Sequence, residues 1–181
     1  MRRKQIKGLA LALAGLVLAV SNETAQSPTK TDQVPTQDGV ISTGEYSFTK
    51  SAAGMKIGIT LSKAKDMLYV AVESPGSGWV AAGLGSSTMN GAYMVLGFSK
   101  GGNSSVSEEL GAGHRHSPVS ARRIVKSSVR ESAGSTTLEF SIPSGEFIKG
   151  SRLNAIFAFA KSADDFSSRH SEKTSLSVNL E

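Results

Sequence analysis

Met55-Lys56-Ile57-Gly58-Ile59-Thr60-Leu61 is followed by Lys63-Ala64-Lys65-Asp66 and then by Met67-Leu68-Tyr69-Val70-Ala71-Val72-Glu73. In the first segment the large apolar residues fall at every second position, the period of a strand that buries one face. The four polar or small residues after it form a turn. The second segment is apolar on both faces and is closed by Ser74-Pro75-Gly76, as expected of a central strand. Outward from this hairpin the same pattern recurs at Trp79 to Leu84, Ala92 to Phe98, Thr136 to Ile142 and Leu153 to Ala160, with a last edge strand near Thr174 to Leu180. None of these stretches has the length or the 3.6-residue period of a helix. Short strands without crossover helices predict an all-β fold, an antiparallel immunoglobulin-like β-sandwich of roughly nine to eleven strands. Gly101 to Ser107 reads as a Gly/Ser-rich loop and Ser127 to Ser135 as an exposed turn region.

The N-terminus reads differently. Arg2, Arg3, Lys4 and Lys7 precede an unbroken apolar run from Leu9 to Val20, and Ala19-Val20-Ser21 supplies small residues at its end. This is the pattern of a signal peptide over residues 1–21; a span of the bilayer core takes roughly 20 apolar residues. Residues 22–37 are mostly Ser, Thr, Gln, Pro and Lys and read as a flexible tether, which leaves residues 38–181 as one domain. The expected location is exported, periplasmic or extracellular, with membrane association if the leader is retained. Four of the charges that make up the net +5 leave with the leader. What remains is a nearly neutral chain with no basic block, which excludes a nucleic-acid partner. The chain has no cysteine. It therefore lacks a lipid-anchoring thiol, covalent haem attachment and thiolate metal sites, and its core must hold without disulfides.

No Gly-x-Ser-x-Gly elbow, phosphate-cradling glycine loop or His-Glu-x-x-His motif is present, so the expectation is a binding or electron-transfer domain and not an enzyme. The soft and borderline donors are three histidines and five methionines. Met89 lies in the polar stretch Ser86-Ser87-Thr88-Met89-Asn90-Gly91, whereas Met55, Met67 and Met94 lie in strand patterns as core residues do. His170 lies in Asp164-Asp165-Phe166-Ser167-Ser168-Arg169-His170-Ser171, a loop between two strands, where a histidine is commonly just solvated. His114 and His116 alternate in an extended segment and are spaced to reach one metal ion, but no third ligand lies nearby in the sequence.

The residues resemble the DOMON domain family over most of Asp38 to Leu180. The likeness runs through Asp38-Gly39-Val40-Ile41-Ser42-Thr43-Gly44-Glu45-Tyr46, Leu68-Tyr69-Val70-Ala71-Val72, and Gly78-Trp79-Val80-Ala81-Ala82-Gly83-Leu84. It continues in Met89-Asn90-Gly91-Ala92-Tyr93-Met94, in Thr136 to Phe140, and in Ala158 to Ser171. Tyr93 departs from the family pattern, which has Asp there. Members of the haem-binding cytochrome b branch, such as the cytochrome domain of cellobiose dehydrogenase, imply a non-covalent haem b with Met89 and His170 as axial ligands of the iron. Trp79, Tyr93 and Met94 are then candidates for the haem pocket or the core beneath it. The resemblance implies electron transfer with a redox partner protein or a small reductant. A carbohydrate-binding module, or a structural or adhesive sandwich without haem, is the alternative; a sugar platform needs exposed aromatics, and the chain has one Trp and three Tyr.

Cleavage of the leader is expected to leave a mature N-terminus at Asn22 or close to Gln26, read by N-terminal sequencing of the exported protein. A chain still beginning at Met1 would make residues 22–37 a membrane-anchored stalk.

Overall fold

The computed structural model describes residues 30–64 and 66–180, and every regular element among them is a strand. The proposed leader lies outside the described residues. Among those described, no helix is long and apolar enough to cross a membrane. In chain order the strands are β1 Lys30–Thr31, β2 Phe48–Ala52, β3 Met55–Ser62, β4 Met67–Ser74, β5 Val80–Leu84, β6 Tyr93–Lys100 and β7 Asn103–Ala112. Then follow β8 Arg115–Pro118, β9 Lys126–Ser132, β10 Ser135–Pro143, β11 Ile148–Lys149, β12 Arg152–Phe159 and β13 Glu172–Asn179. They form two sheets. The first has the order β1-β3-β4-β10-β9, with β2 also on β3; the second has the order β11-β12-β5-β6-β7-β8, with β13 also on β12. All pairings are antiparallel except β1 with β3. Two of the thirteen strands, β1 and β11, are only two residues long, so the longer ones match the expected count.

The main core lies between the sheets. From the first sheet come Ile57, Ile59, Leu68, Val70, Leu138, Phe140 and Ile142; from the second come Val80, Val95, Leu153 and Phe157. The hairpin that decides the fold is the β3–β4 pair, with Ile57 opposite Val72 and Ile59 opposite Val70. β4 is central, flanked by β3 and β10, which is why its apolar residues occupy both faces.

Three local expectations are corrected. Gly101 to Ser107 is not a loop: only Gly101 and Gly102 turn the chain, and Asn103 onward is β7, paired to β6 from Lys100↔Asn103 to Tyr93↔Leu110. Ser127 to Ser135 is mostly β9, an edge strand along β10, with Val129 turned into the core. A ladder is built from backbone amides and carbonyls, so a serine-rich strand pairs as well as an apolar one, and a polar edge also discourages pairing with other chains. Residues 30–37, read from composition as part of a tether, are packed on the domain. Lys30 and Thr31 pair with Leu61 and Ser62, and Gln33 donates through Nε2 to the carbonyls of Gly44 at 2.9 Å and Glu45 at 3.1 Å. Pro35 and Gln37 are buried. These contacts supply the ordering energy that the segment's own composition lacks.

The segment after Gln37 closes the outside of the first sheet around Glu139, a fully buried carboxylate on β10. It accepts hydrogen bonds from the Tyr46 hydroxyl at 2.7 Å and from the backbone amides of Asp38 at 2.9 Å and Gly39 at 2.6 Å. The Tyr46 ring lies against Gly58, where a Cβ would stand 2.6 Å from the ring carbon Cγ. Burial pushes the Glu139 carboxyl above the usual carboxylate range, although the Tyr46 hydroxyl and the two amides pull the other way. The folded state then holds its proton more tightly than the unfolded chain does. This contribution to stability is present at low pH and is lost as pH rises through the folded pKa.

Glu139→Ala is expected to cost about 3 kcal/mol or more in urea unfolding, because two buried donors and one part-buried donor lose their acceptor. Glu139→Gln keeps an acceptor and no longer titrates. The stability of wild type relative to Glu139→Gln should therefore fall as pH rises through the carboxyl range.

Candidate functional site

The second sheet is apolar on its outer face as well as its inner one. Along β6, Tyr93 and Val95 belong to the core between the sheets, while Met94 and Leu96 belong to a separate cluster with Trp79, Ala81, Ala92 and Ala160. Met89, Phe98, Ile156, Ala158, Ala163 and Phe166 pack against that second cluster. An apolar patch on the solvent side of a sheet, covered only by loops, marks a place for a ligand or partner.

One covering loop joins β5 to β6 and carries Met89. It is tied to the β7–β8 hairpin: the Gly91 amide donates to the Gly111 carbonyl at 2.9 Å, the Gly111 amide to the Ala92 carbonyl at 3.0 Å, and the Gly113 amide to Asn90 Oδ1 at 2.9 Å. A Cβ on Gly111 would stand 1.9 Å from the Met89 carbonyl oxygen and 3.1 Å from Met89 Cγ. Only glycine admits this approach, and the approach holds Met89 against the outer face.

The other loop joins β12 to β13 and carries His170. Its start is fastened to the entry of β5, with the Trp79 amide donating to the Ala163 carbonyl at 2.9 Å and the Ser77 amide to the Lys161 carbonyl at 3.0 Å. Gly78 sits so close that a Cβ there would be 2.5 Å from the Ala160 carbonyl oxygen. The Trp79 indole donates to Ser168 Oγ at 2.8 Å. Asp165 Oδ1 accepts from the Ser167 amide at 3.0 Å, the Ser167 hydroxyl at 2.6 Å and the Ser168 amide at 2.8 Å, a side-chain-closed turn. Those bonds, the Ser167 hydroxyl first, hold its carboxyl below the usual range. His170 is half-buried. Burial lowers its imidazole pKa, and Lys173 and Arg169 lower it further, so the neutral ring, with a free lone pair, is favoured.

The first loop follows the end of β5 and the second lies beside its start, and both adjoin the same outer face, which brings Met89, Met94, Trp79 and the loop of His170 round one apolar surface. Tyr93 is not with them. Its ring lies between the sheets, 5.5 Å from that of Phe147, and its hydroxyl donates to Glu108 Oε2 at 2.6 Å. Burial and Glu108 push its phenol well above the ordinary value. Consecutive strand residues point to opposite faces, so Tyr93 and Met94 cannot line one pocket from the same strand.

The sequence reading missed what lies beside this face. Glu109 stands opposite Met94 in the β6–β7 ladder, is buried, accepts from the Ser107 hydroxyl at 2.7 Å and pairs with His116 Nδ1. With His114, Arg115, Phe166 and Ser167 these residues line an open depression of about 450 Å³. His114 is in the turn and His116 on β8, so the extended segment starts later than expected. Among the described residues no three of His, Cys, Asp and Glu form a metal-holding group. A β7 read as a loop hides the Glu109–His116 pairing, because only the register reveals it.

No protein-family model matches this chain, and no curated protein does. Solved structures do. The cytochrome b domain of pyranose dehydrogenase from Coprinopsis cinerea matches with a TM-score of 0.55 and 16% identity, over 69% of this chain and 76% of that one. The cytochrome domain of Myriococcum thermophilum cellobiose dehydrogenase matches with a TM-score of 0.54 and 14% identity, over 70% and 75%. At these identities the likeness establishes a shared fold.

Gly111→Ala is expected to push the Met89 loop off the outer face and to cost about 1–3 kcal/mol. Gly145→Ala, where nothing lies within 4 Å of the added Cβ, should be nearly neutral. Amide NMR shifts over residues 89–92 and urea midpoints report both.

Proposed function

We propose that this chain is an exported b-type cytochrome domain that binds one haem non-covalently through Met89 and His170 and serves electron transfer. The observation that carries the reading is the convergence of Met89 and the His170 loop on a single apolar face. The donor set fits the group: a thioether, an imidazole favoured in its neutral form, and apolar side chains around them. The similarity in fold to two domains named as cytochromes supports the reading.

When bound, the haem supplies a one-electron iron centre. His170 presents a lone pair from a loop fastened to β5. Met89 would offer a soft donor, which would favour ferrous iron and raise the potential. A group held by both Met89 and His170 would act as an electron carrier. Trp79, Met94, Leu96, Phe98 and Phe166 keep water from the face. The redox partner is a protein or a small reductant. A sugar-binding reading finds no platform, because Trp79, Tyr46, Tyr69 and Tyr93 are all at most 6% exposed.

Protein from haem-replete cells is expected to show sharp α and β absorption bands on reduction, and its haem should pass into acidified organic solvent. Met89→Ala should lower the potential and admit carbon monoxide, while His170→Ala should lose haem more completely. His114→Ala and Met94→Ala should keep the six-coordinate spectrum, Met94→Ala at about 2 kcal/mol or more in stability. Burial favours the neutral imidazole of His170, so acid-induced loss of the haem should set in only below the ordinary histidine range. Absence of any haem spectrum after reconstitution with haemin would sink the reading.

A further inference from the structure

We propose that a second cavity, where the ends of the two sheets meet beside β1 and β11, binds one medium-chain carboxylic acid, its tail on an apolar floor and its carboxylate at Lys30. This site stands apart from the haem reading: none of the residues that line it belongs to the apolar face that carries Met89.

The cavity has a volume of about 350 Å³, which suits a small molecule. Its floor is the edge of the main core: Leu61 of β3 and Leu180 are buried core residues, and Ile148 of β11 packs against that core. An apolar tail laid on these three side chains leaves water. The rim carries one cation and no carboxylate, since Lys30 is the sole charged side chain in the lining. The β1 pairing, Lys30 opposite Leu61 and Thr31 opposite Ser62, sets that cation at the lip of the floor. Among the described residues no carboxylate lies within ion-pair distance of Lys30. An apolar floor with a single cation at its lip selects an apolar chain with one anionic head.

The backbone does not force the opening. Gly150, in the tight turn between β11 and β12, has a φ of +63° that favours glycine. Gly145 lies outside the left-handed region, and an added Cβ there would meet nothing within 4 Å. A larger residue would fit at Gly145, so the space beside it is not a by-product of chain geometry. Ser144 next to it is buried and fixed, its amide and its hydroxyl both donating to the Asp66 carbonyl at 2.8 Å. With that proton committed, Ser144 offers an anion no second anchor, and Lys30 is left to select the head group. Residues 22–29, which lead into Lys30, are too polar to match the floor, so a separate small molecule fits it better than the chain's own tether.

The test is an amide-resolved NMR titration of the full chain with octanoate as the probe. Expected is saturable binding of one molecule per chain, with the shifted amides at Lys30, Leu61, Ser144 to Ser151 and Leu180. Lys30→Ala, and Ser151→Glu, which sets a carboxylate on the exposed turn, should each weaken octanoate about threefold, as exposed charge pairs do. Both residues are exposed, so neither variant threatens the fold. Octanol should bind more weakly than octanoate and be indifferent to Lys30→Ala, and acetate should not saturate. Lys126→Ala, on β9 at the other edge of the first sheet, should change nothing. Phosphatidylglycerol vesicles should leave these amides unshifted; shifts with vesicles and none with octanoate would assign the cavity to a membrane lipid and overturn the free-acid class. Absent saturation, octanol binding as tight as octanoate, or indifference to both variants overturns the proposal. So do shifts centred on Met89, Met94 and Trp79, which would place the probe on the outer face instead. A chain that binds octanoate and shows no haem spectrum keeps this site and loses the haem reading.

Discussion

β6 is buried on both faces, and the arrangement of the site depends on that. Its odd residues, Tyr93 and Val95, seal the sandwich, and its even residues, Met94 and Leu96, build an apolar surface on the other side of the same sheet. An apolar outer face left to water is unfavourable by roughly 25 cal/mol per Å², so the fold must cover it or give it a ligand. Here the cover is two loops, one after β5 and one between β12 and β13, and each carries one of the two side chains proposed to grip a haem.

What makes these loops suitable is their attachment. Long loops are usually mobile, but the Met89 loop is bonded to the β7–β8 hairpin and the His170 loop to the entry of β5. In both places a glycine lets backbone pass where a Cβ would collide. The two side chains proposed as donors are thus carried on rigid supports without belonging to the sheet, an arrangement that would pre-organise a site at little ordering cost. The Glu109–His116 pair extends the same face sideways into an open depression and gives it a polar edge.

The first sheet does different work. Asp38-Gly39 and Tyr46, part of the stretch that resembles a known family opening, supply the donors to Glu139, and Glu45 accepts from the amides of Thr36 and Ser42, each at 2.8 Å. That stretch is therefore structural: it lids the outer side of the sheet remote from Met89 and His170. Its resemblance reports the fold, whereas the residues proposed for chemistry sit on the other sheet.

Composition and a two-residue period were enough to determine the β-sandwich, the β3–β4 hairpin, and the loop positions of Met89 and His170, because alternation and turn residues are local properties of the chain. The polar strands β7 and β9 were not legible, since a ladder hydrogen bond belongs to two backbones and leaves little mark on side-chain composition. Nor was the split between Tyr93 and Met94, although alternation already implied that adjacent residues diverge; which of them faced the site depended on which side the first sheet occupied. Glu139 and Glu109 are buried, their partners 93 and 7 residues away in Tyr46 and His116. Only the tertiary structure decides such things, because burial and pairing are set by which distant backbone arrives alongside, and one residue's shift in register would send every one of these side chains to the opposite face.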